Sequence, residues 1–308
     1  MRTKIHAISV NFPGVVKSLK HGVDLGLWDL TVIGEGPIQI PKADAYILGA
    51  WHDCYFQLLN RLPEKSRVAV LWASSAGEMD LEPIEVLSLT RLLEIKRVDC
   101  IFFSTHALAD SFEKGVYFPY PIHLTVPLCR KAAKKEDIIT LFCPPTLKKN
   151  IFNQLLAVKA IQKHFKGLGR KMELHTNLKS YEIVMGWLGL DFKMHGWLPE
   201  NDYFSMLSRA KCNLGVSWAE SFNYQVLEAA LCNTFSVVSS AVWWYPEKSL
   251  VVANPNEPKN ISEKILECIE KSESTQITGL LKQTVEMAKK RNADLNRTLK
   301  SWLGWRNP

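Results

Sequence analysis

CNLGVSWAESFNYQVLEA, residues 212–229, is the stretch that decides the fold. Its apolar run at 212–217 predicts a buried strand, a polar turn follows at Glu220, and apolar residues at helical spacing predict a helix over about 221–232. We expect Ser221 to be the N-cap, because serine accepts a hydrogen bond from the first amides of a helix. A strand, a sharp turn and a helix in this order begin a βα unit of a parallel sheet.

The turn before this helix is a candidate anion site. The amides of Ser221, Phe222 and Asn223 would lie at the helix N-terminus, where amides lack helical partners and the helix dipole adds about half a positive charge. Diphosphates bind at such ends. Glu220 and Glu228 lie only about 80° apart around a helix, so both carboxylates can overlook one ligand and accept from sugar and ribose hydroxyls. The alternative is that both glutamates merely stabilise the helix N-terminus.

Strands and helices alternate outward from this stretch along both halves of the chain. Short apolar runs predict strands at 4–10, 30–33, 45–48, 68–72 and 100–104, then at 138–143, 172–175, 212–217, 235–239 and 250–253. Helical spacing predicts helices at 82–95, 151–165, 180–188, 202–210 and 279–305. Two such series predict an α/β protein of two doubly wound Rossmann-like domains facing a central cleft, with ligands at the carboxyl ends of the strands.

A polar and basic stretch, LCRKAAKKED at 128–137, separates two apolar runs and predicts the crossing between the domains. We expect an N-terminal α/β domain over 1–131 and a C-terminal α/β domain over 132–288. A C-terminal helix over about 289–308 can pack back onto the first domain, because its apolar stripe needs a surface to cover.

The composition is that of an ordinary globular protein. The chain has 308 residues, 47% of them hydrophobic, and a net charge of +7 that favours anionic partners. Its seven cysteines are scattered without a C-x-x-C pair, which favours a reducing compartment. With no apolar signal segment at the N-terminus, we expect a cytoplasmic protein, with peripheral contact at an anionic membrane surface left open. The same features count against a two-domain solute-binding protein.

Residues 189–256 resemble the C-terminal domain of retaining GT-B-fold glycosyltransferases, the group 1 glycosyl transferases that include glycogen-synthase-like enzymes and mannosyltransferases. In that family a Gly-x-Leu-Pro turn is followed by a strand, a Ser or Pro, and two glutamates separated by seven residues. The matching residues here are Gly196, Leu198, Pro199, Ser217, Glu220, Phe222, Glu228, Ala229, Val237, Val238 and Pro255.

The resemblance implies roles for this second half. Glu220 would contact hydroxyls of the transferred sugar, and Glu228 would bind the ribose. The amides of Ser221, Phe222 and Asn223 would hold the diphosphate, although the family usually has glycine at position 223.

A basic pair neutralises the leaving diphosphate in the family. Here Lys149 occupies the lysine position, whereas Pro144 replaces the arginine and Lys148 could substitute for it. The alternative is that Lys148 and Lys149 are solvent-exposed residues at the start of a helix and bind no phosphate.

The remaining candidates follow other predicted strands. His52 comes after the third strand, where many family members carry a histidine near the reacting carbon; it could bind the sugar or take the acceptor proton. Gly14, in the predicted turn 11–14, would allow close approach to the donor sugar. Gly196 forms the Gly-x-Leu-Pro turn, and His195 before it would either contact the ligand or support the loop.

The resemblance implies an enzyme that transfers a hexosyl-type sugar from a nucleotide-diphosphate sugar with retention. The N-terminal domain would be the acceptor side and the C-terminal domain the donor side. We expect neither a cofactor nor a metal, because no Asp-x-Asp pair and no His/Cys cluster is visible. The acceptor stays open between a lipid-linked sugar, a glycan, a small molecule and DNA, as does the oligomeric state. The alternatives are a GT-B nucleotide-sugar epimerase or hydrolase and a DNA-base glycosyltransferase.

Overall fold

The computed structural model describes residues 3–34, 38–124, 134–273 and 278–304. Two compact units divide the chain: Met1–Leu124 with Met287–Pro308, and Thr125–Glu286. The predicted crossing at 131/132 lies outside the described residues, as does Cys129. No helix in the described ranges combines the length and the apolar character that a membrane span needs.

The first unit is built from alternating strands and helices. In chain order these are β1 (Ile5–Val10), α1 (Pro13–Asp24), β2 (Asp29–Ile33), β3 (Ala45–Gly49), α2 (Cys54–Leu59), β4 (Arg67–Trp72), α3 (Ala76–Leu81), α4 (Pro83–Glu94), β5 (Cys100–Phe103), α5 (His106–Ser111) and β6 (Gly115–Tyr117).

The second unit repeats the alternation. Its elements are β7 (Glu136–Leu141), α6 (Ile151–Gly167), β8 (Glu173–Thr176), α7 (Glu182–Leu188), β9 (Phe192–Met194), α8 (Glu200–Arg209), β10 (Ala210–Gly215), α9 (Tyr224–Leu231), β11 (Ser236–Ser239), β12 (Val251–Val252) and α10 (Pro258–Glu273), followed by α11 (Thr278–Leu303), which carries the chain back to the first unit.

Each unit contains one six-stranded sheet in which every described strand pair is parallel. The order is β2-β1-β3-β4-β5-β6 in the first sheet and β12-β11-β10-β7-β8-β9 in the second. These are the two common doubly wound orders, so the predicted fold class of two Rossmann-like domains is confirmed. In both sheets the strand order changes direction once, and ligands of such folds bind where it does.

The central strands were predictable because parallel strands are buried on both faces and therefore read as unbroken apolar runs. All five residues of β3 are buried, for example. Two strands were missed, β6 and β9; each has only three residues and neither is fully buried. Both are edge strands, and a strand of three residues is too short to be recognised from the sequence pattern. Helices α1, α2, α3, α5 and α10 were not predicted either.

The end of α11 packs on the first unit. The Trp302 ring is buried and meets the Phe102 ring edge to face, with centroids 5.2 Å apart. The Asn292 amide side chain makes two hydrogen bonds to Ile122, accepting from its N–H at 3.0 Å and donating to its carbonyl at 2.7 Å. An asparagine placed this way pairs with the backbone as a neighbouring strand would.

Trp302→Ala should lower the free energy of unfolding of the first unit by about 3 kcal/mol, because it removes a buried ring and leaves a cavity. Urea denaturation followed by far-UV circular dichroism measures it. The matched control is Trp197→Ala, the same change at a side chain that is 92% exposed, where the free energy should stay within about 0.5 kcal/mol. Equal losses in the two variants would contradict the packing described for α11.

Candidate functional site

The loops after β7 and β10 meet where the strand order of the second sheet reverses. The chain leaves β7 at Leu141 and reaches α6 through a short 3₁₀ turn, Leu147–Lys149. It leaves β10 at Gly215 and reaches α9 through residues 216–223. Because β7 and β10 are parallel neighbours, both loops lie at the same carboxyl edge of the sheet.

An ion pair joins these two loops. Lys149 Nζ lies 2.5 Å from Oε1 of Glu220, and only 12% and 5% of the two side chains are exposed. The same oxygen accepts from the Ser217 hydroxyl at 2.7 Å and from the Asn223 amide nitrogen at 2.9 Å. The other carboxylate oxygen, Oε2, accepts from none of the residues that the structure describes.

Backbone contacts hold the two loops together behind this pair. The Trp218 amide donates to the Lys148 carbonyl at 2.8 Å. Gln154, buried on α6, donates to the Lys149 carbonyl at 2.7 Å and accepts from the Val216 amide at 3.1 Å. One side chain thus fixes both loops relative to each other. No sequence motif singles out Gln154, which lies inside a helical pattern.

Helix α9 begins at Tyr224, later than expected, and its N-cap is Asn223 instead of Ser221. The Asn223 side-chain oxygen accepts from the Val226 amide at 3.1 Å. Residues 221–223 therefore form the end of the loop and not the first helical turn. Within the described ranges, the backbone amides of Ser221 and Asn223 donate to no protein group. That these two amides bind an anion stays a prediction.

The Phe222 ring packs on the Trp244 ring with centroids 5.1 Å apart, and both residues are buried. Trp244 belongs to an aromatic cluster, Trp243–Tyr245, that follows β11 along the chain. In this cluster Trp244 supports the loop, and the Tyr245 hydroxyl accepts from the Ser236 amide at 2.7 Å.

Glu228 lies on α9 and is buried, and the partly buried Tyr203 of α8 lies beside it. Burial raises the pKa of Tyr203, as do the charge of Glu228 and the hydrogen bond between the two side chains. The phenol stays protonated and donates to the carboxylate. Tyr203 was not among the predicted site residues, and it orients the group predicted to bind a ribose.

His195 follows β9 and is hydrogen-bonded to a second histidine. Its Nε2 lies 3.2 Å from Nδ1 of His175, whose Nε2 lies 2.8 Å from the Glu173 carboxylate. The sequence singled out His195 but not its two partners. Gly196 is exposed, and a Cβ added there would meet nothing within 4 Å. No described residue therefore crowds Gly196.

Cys143 lies two residues after the end of β7, beside the ion pair. Burial raises the pKa of its thiol to about 12. The charge of Lys149 lowers this pKa and that of Glu220 raises it, but burial is the largest effect. The thiol is neutral near pH 7 and poorly nucleophilic. Among the described residues no group of three or more His, Cys, Asp or Glu side chains is placed to hold a metal ion.

In the first unit, Gly14 and His52 follow the neighbouring strands β1 and β3, between which that sheet changes direction. Helix α1 begins at Pro13, so the turn expected over 11–14 ends earlier and Gly14 lies in the first helical turn. His52 is exposed, and its Nδ1 accepts from the Cys54 amide at 3.2 Å.

Two features fix the loop that carries His52. Ala50 has a φ of 56°, a left-handed conformation that is costly for a residue with a Cβ. The buried Tyr55 hydroxyl accepts from the Val10 amide at 3.0 Å and donates to the Gly49 carbonyl at 2.8 Å. Tyr55 thus ties the ends of β1 and β3 together.

Comparison with known structures assigns the fold. The chain is similar to sucrose-phosphate synthase from Thermosynechococcus elongatus, with 14% identity, a TM-score of 0.68, and coverage of 97% of this chain and 100% of that chain. It is also similar to an E. coli structure described as trehalose-6-phosphate bound with UDP-2-fluoro glucose, with 10% identity, a TM-score of 0.63 and coverage of 97% and 98%.

A third similar structure is an alpha,alpha-trehalose-phosphate synthase (UDP-forming) from Burkholderia xenovorans in complex with glucose-6-phosphate, with 11% identity, a TM-score of 0.61 and coverage of 83% and 74%. Sequence comparison finds no matching family model and no matching curated protein. These likenesses confirm the predicted GT-B fold.

Lys149→Met should lower the free energy of unfolding of the second unit by about 3 kcal/mol, because it leaves the buried Glu220 carboxylate without its counter-charge. Adding Glu220→Gln should recover most of the loss, since glutamine is neutral and still accepts from Ser217 and Asn223. Urea denaturation of both single variants and the double variant gives the coupling energy. Lys163→Met, an exposed lysine on α6, is the control. Additive effects at positions 149 and 220 would contradict the ion pair.

Proposed function

We propose that this protein is a glycosyltransferase that takes a sugar from a nucleotide-diphosphate sugar and transfers it with retention of configuration. The observation that carries the proposal is the contact between Lys149 and Glu220 where the strand order of the second sheet reverses. It brings a cation, a carboxylate and the N-terminus of α9 to one edge of the sheet. A diphosphate and a sugar hydroxyl are the ligand groups that fit this combination.

The diphosphate would bind Lys149 and the amides before α9. The Ser221 and Asn223 amides have no partner among the described residues, and the helix dipole adds a partial positive charge to theirs. The half-buried Lys148 adds a second cation beside the turn. This arrangement supports the proposal because it stabilises the charge that develops on the leaving diphosphate as its bond to the sugar breaks.

The sugar and the ribose would each engage one carboxylate. Oε1 of Glu220 is occupied by three donors, so a sugar hydroxyl would donate to Oε2. Glu228 would accept from the ribose hydroxyls, with the Tyr203 phenol holding it in place. In this proposal the acceptor attacks from the face that the diphosphate leaves, and the positive groups replace a metal ion as the source of electrostatic stabilisation.

The similar structures suggest which substrates to test first. One contains a UDP-sugar analogue, and another is a UDP-forming synthase in complex with glucose-6-phosphate. We therefore propose a UDP-sugar as the first donor and a sugar phosphate as the first acceptor to examine. The predicted role of His52 at the acceptor side belongs to the same proposal. Release of free sugar without an acceptor would instead identify a hydrolase.

Thermal unfolding should respond to the correct donor. A nucleotide-sugar present at a hundred times its dissociation constant adds about 2.7 kcal/mol to the free energy of unfolding. UDP-, GDP- and ADP-sugars are screened by differential scanning fluorimetry, with the matching free nucleosides as controls because they lack the diphosphate. No shift with any nucleotide-sugar would reject the proposed function.

Glu228→Gln should weaken binding of that donor roughly tenfold or more, since it replaces a charge-assisted hydrogen bond to the ribose by a neutral one. Isothermal titration calorimetry gives the dissociation constant. Glu182→Gln removes the same charge from an exposed site on α7 and is the control. Unchanged affinity in the Glu228 variant, with the parent fold retained, would show that Glu228 does not hold the ribose.

A further inference from the structure

The three side chains Glu173, His175 and His195 form a linear set of hydrogen bonds, called here the histidine relay. Glu173 and His175 lie on β8, and His195 follows β9, the neighbouring strand at the edge of the sheet. The Glu173 carboxylate lies 2.8 Å from His175 Nε2, and His175 Nδ1 lies 3.2 Å from His195 Nε2. Neither Glu173 nor His175 belongs to the residues proposed above to bind the nucleotide-sugar.

The chemistry of the relay fixes the direction of each hydrogen bond. An ionised carboxylate can only accept, so His175 must donate from Nε2. A neutral imidazole carries one N–H, which leaves His175 Nδ1 as an acceptor, and His195 must then donate from Nε2. His195 Nδ1 is consequently a bare acceptor. Among the described residues it has no hydrogen-bond partner.

Both imidazoles are held in the neutral form at neutral pH. Burial lowers the pKa of His175 and of His195 below the ordinary value of 6.5. The positive charge of Lys193 acts in the same direction on both rings, and that of Arg209 on His175. The nearby Glu173 carboxylate acts the other way, but burial is the largest effect on each ring.

His195, at one end of the relay, lies close to Glu228, the residue predicted to bind the ribose. The His195 amide donates to the Thr176 carbonyl at 2.8 Å, which fixes the start of the loop. The His195 ring packs on Phe142 with centroids 5.9 Å apart, and Phe142 packs on Tyr203 at 5.6 Å. Tyr203 in turn donates to Glu228. The bare nitrogen of His195 is thus two ring contacts from the carboxylate assigned to the nucleoside.

We propose that His195 Nδ1 accepts a hydrogen bond from an N–H group on the nucleoside half of the donor, and that one proton taken up by the relay reverses this preference. The inference rests on the proposed function, because the ligand is the same nucleotide-sugar. It assigns His195 a role in specificity, with Glu173 and His175 as positioning residues that act through its tautomer.

The reversal follows from where the added proton can go. A proton from solvent that binds His195 Nδ1 turns this atom into a donor directly. A proton that binds His175 Nδ1 makes that atom a donor toward His195 Nε2, which must then accept, and the single N–H of His195 moves to Nδ1. In both cases the outward nitrogen changes from acceptor to donor, and the ligand N–H loses its partner.

The tautomers can be observed without any ligand. Long-range ¹H–¹⁵N correlation spectra at about pH 8 should show both His175 and His195 as neutral Nε2–H tautomers. The chain has eight histidines, so His175→Asn and His195→Asn variants assign the signals. An Nδ1–H tautomer at either position in the parent protein would overturn the relay, whatever the protein binds.

Donor binding then tests the ligand. The affinity of the parent for its nucleotide-sugar should fall about tenfold between about pH 8 and pH 5, because one hydrogen bond is lost and two donors face each other. A nucleotide-sugar has no terminal phosphate that titrates in this range, so the change reports on the protein. His195→Asn should bind more weakly at pH 8 and show little pH dependence.

The control is His164→Asn, an exposed histidine on α6 of the same unit, which should follow the parent at both pH values. A pH dependence that survives in the His195 variant would overturn the assignment of the titrating group. Binding that is equally tight in parent and His195 variant at pH 8 would overturn the contact itself. If no nucleotide-sugar binds, the proposed function fails and the ligand assignment fails with it, while the tautomer spectra still decide on the relay.

Discussion

The contact between Lys149 and Glu220 is the constraint on which the candidate site depends. A buried carboxylate is tolerated only when it is paired and hydrogen-bonded, and here one oxygen receives an ammonium, a hydroxyl and an amide. The contact can form only because the reversal of strand order makes β7 and β10 neighbours, although the two residues are 71 positions apart. Gln154 then fixes the two loops so that the pair forms in one geometry.

In the first unit a different contact joins the two strands between which the strand order reverses. There the ends of β1 and β3 are joined by a neutral side chain, Tyr55, and the next residue after β3 is held in a left-handed conformation. Strained backbone of this kind persists only where surrounding contacts enforce it. The Tyr55 hydrogen bonds supply such contacts, and they place His52 on a defined loop.

The sequence was sufficient for the features that depend on local pattern. Central strands such as β3 read as apolar runs because both faces are buried, whereas β6 and β9 are short edge strands without such a run. Glu220 and Glu228 could be singled out because the whole run around them resembles a family motif, whereas their spacing alone favours two glutamates that merely stabilise a helix N-terminus. Gln154, Tyr203 and His175 could not, because each lies inside a regular element and its partner is supplied by the fold.

Asn223 shows how a departure from a family pattern can carry information. The sequence put this residue in doubt because glycine is usual there, but its side chain both caps α9 and donates to Glu220. Under the proposed function a diphosphate competes with Glu220 for Lys149. If Lys149 turns to the phosphate, Ser217 and Asn223 still satisfy Oε1 of the buried carboxylate, so the desolvation cost of releasing the lysine is smaller. Glycine could not provide this support, and the asparagine makes exchange of the lysine between carboxylate and phosphate physically reasonable.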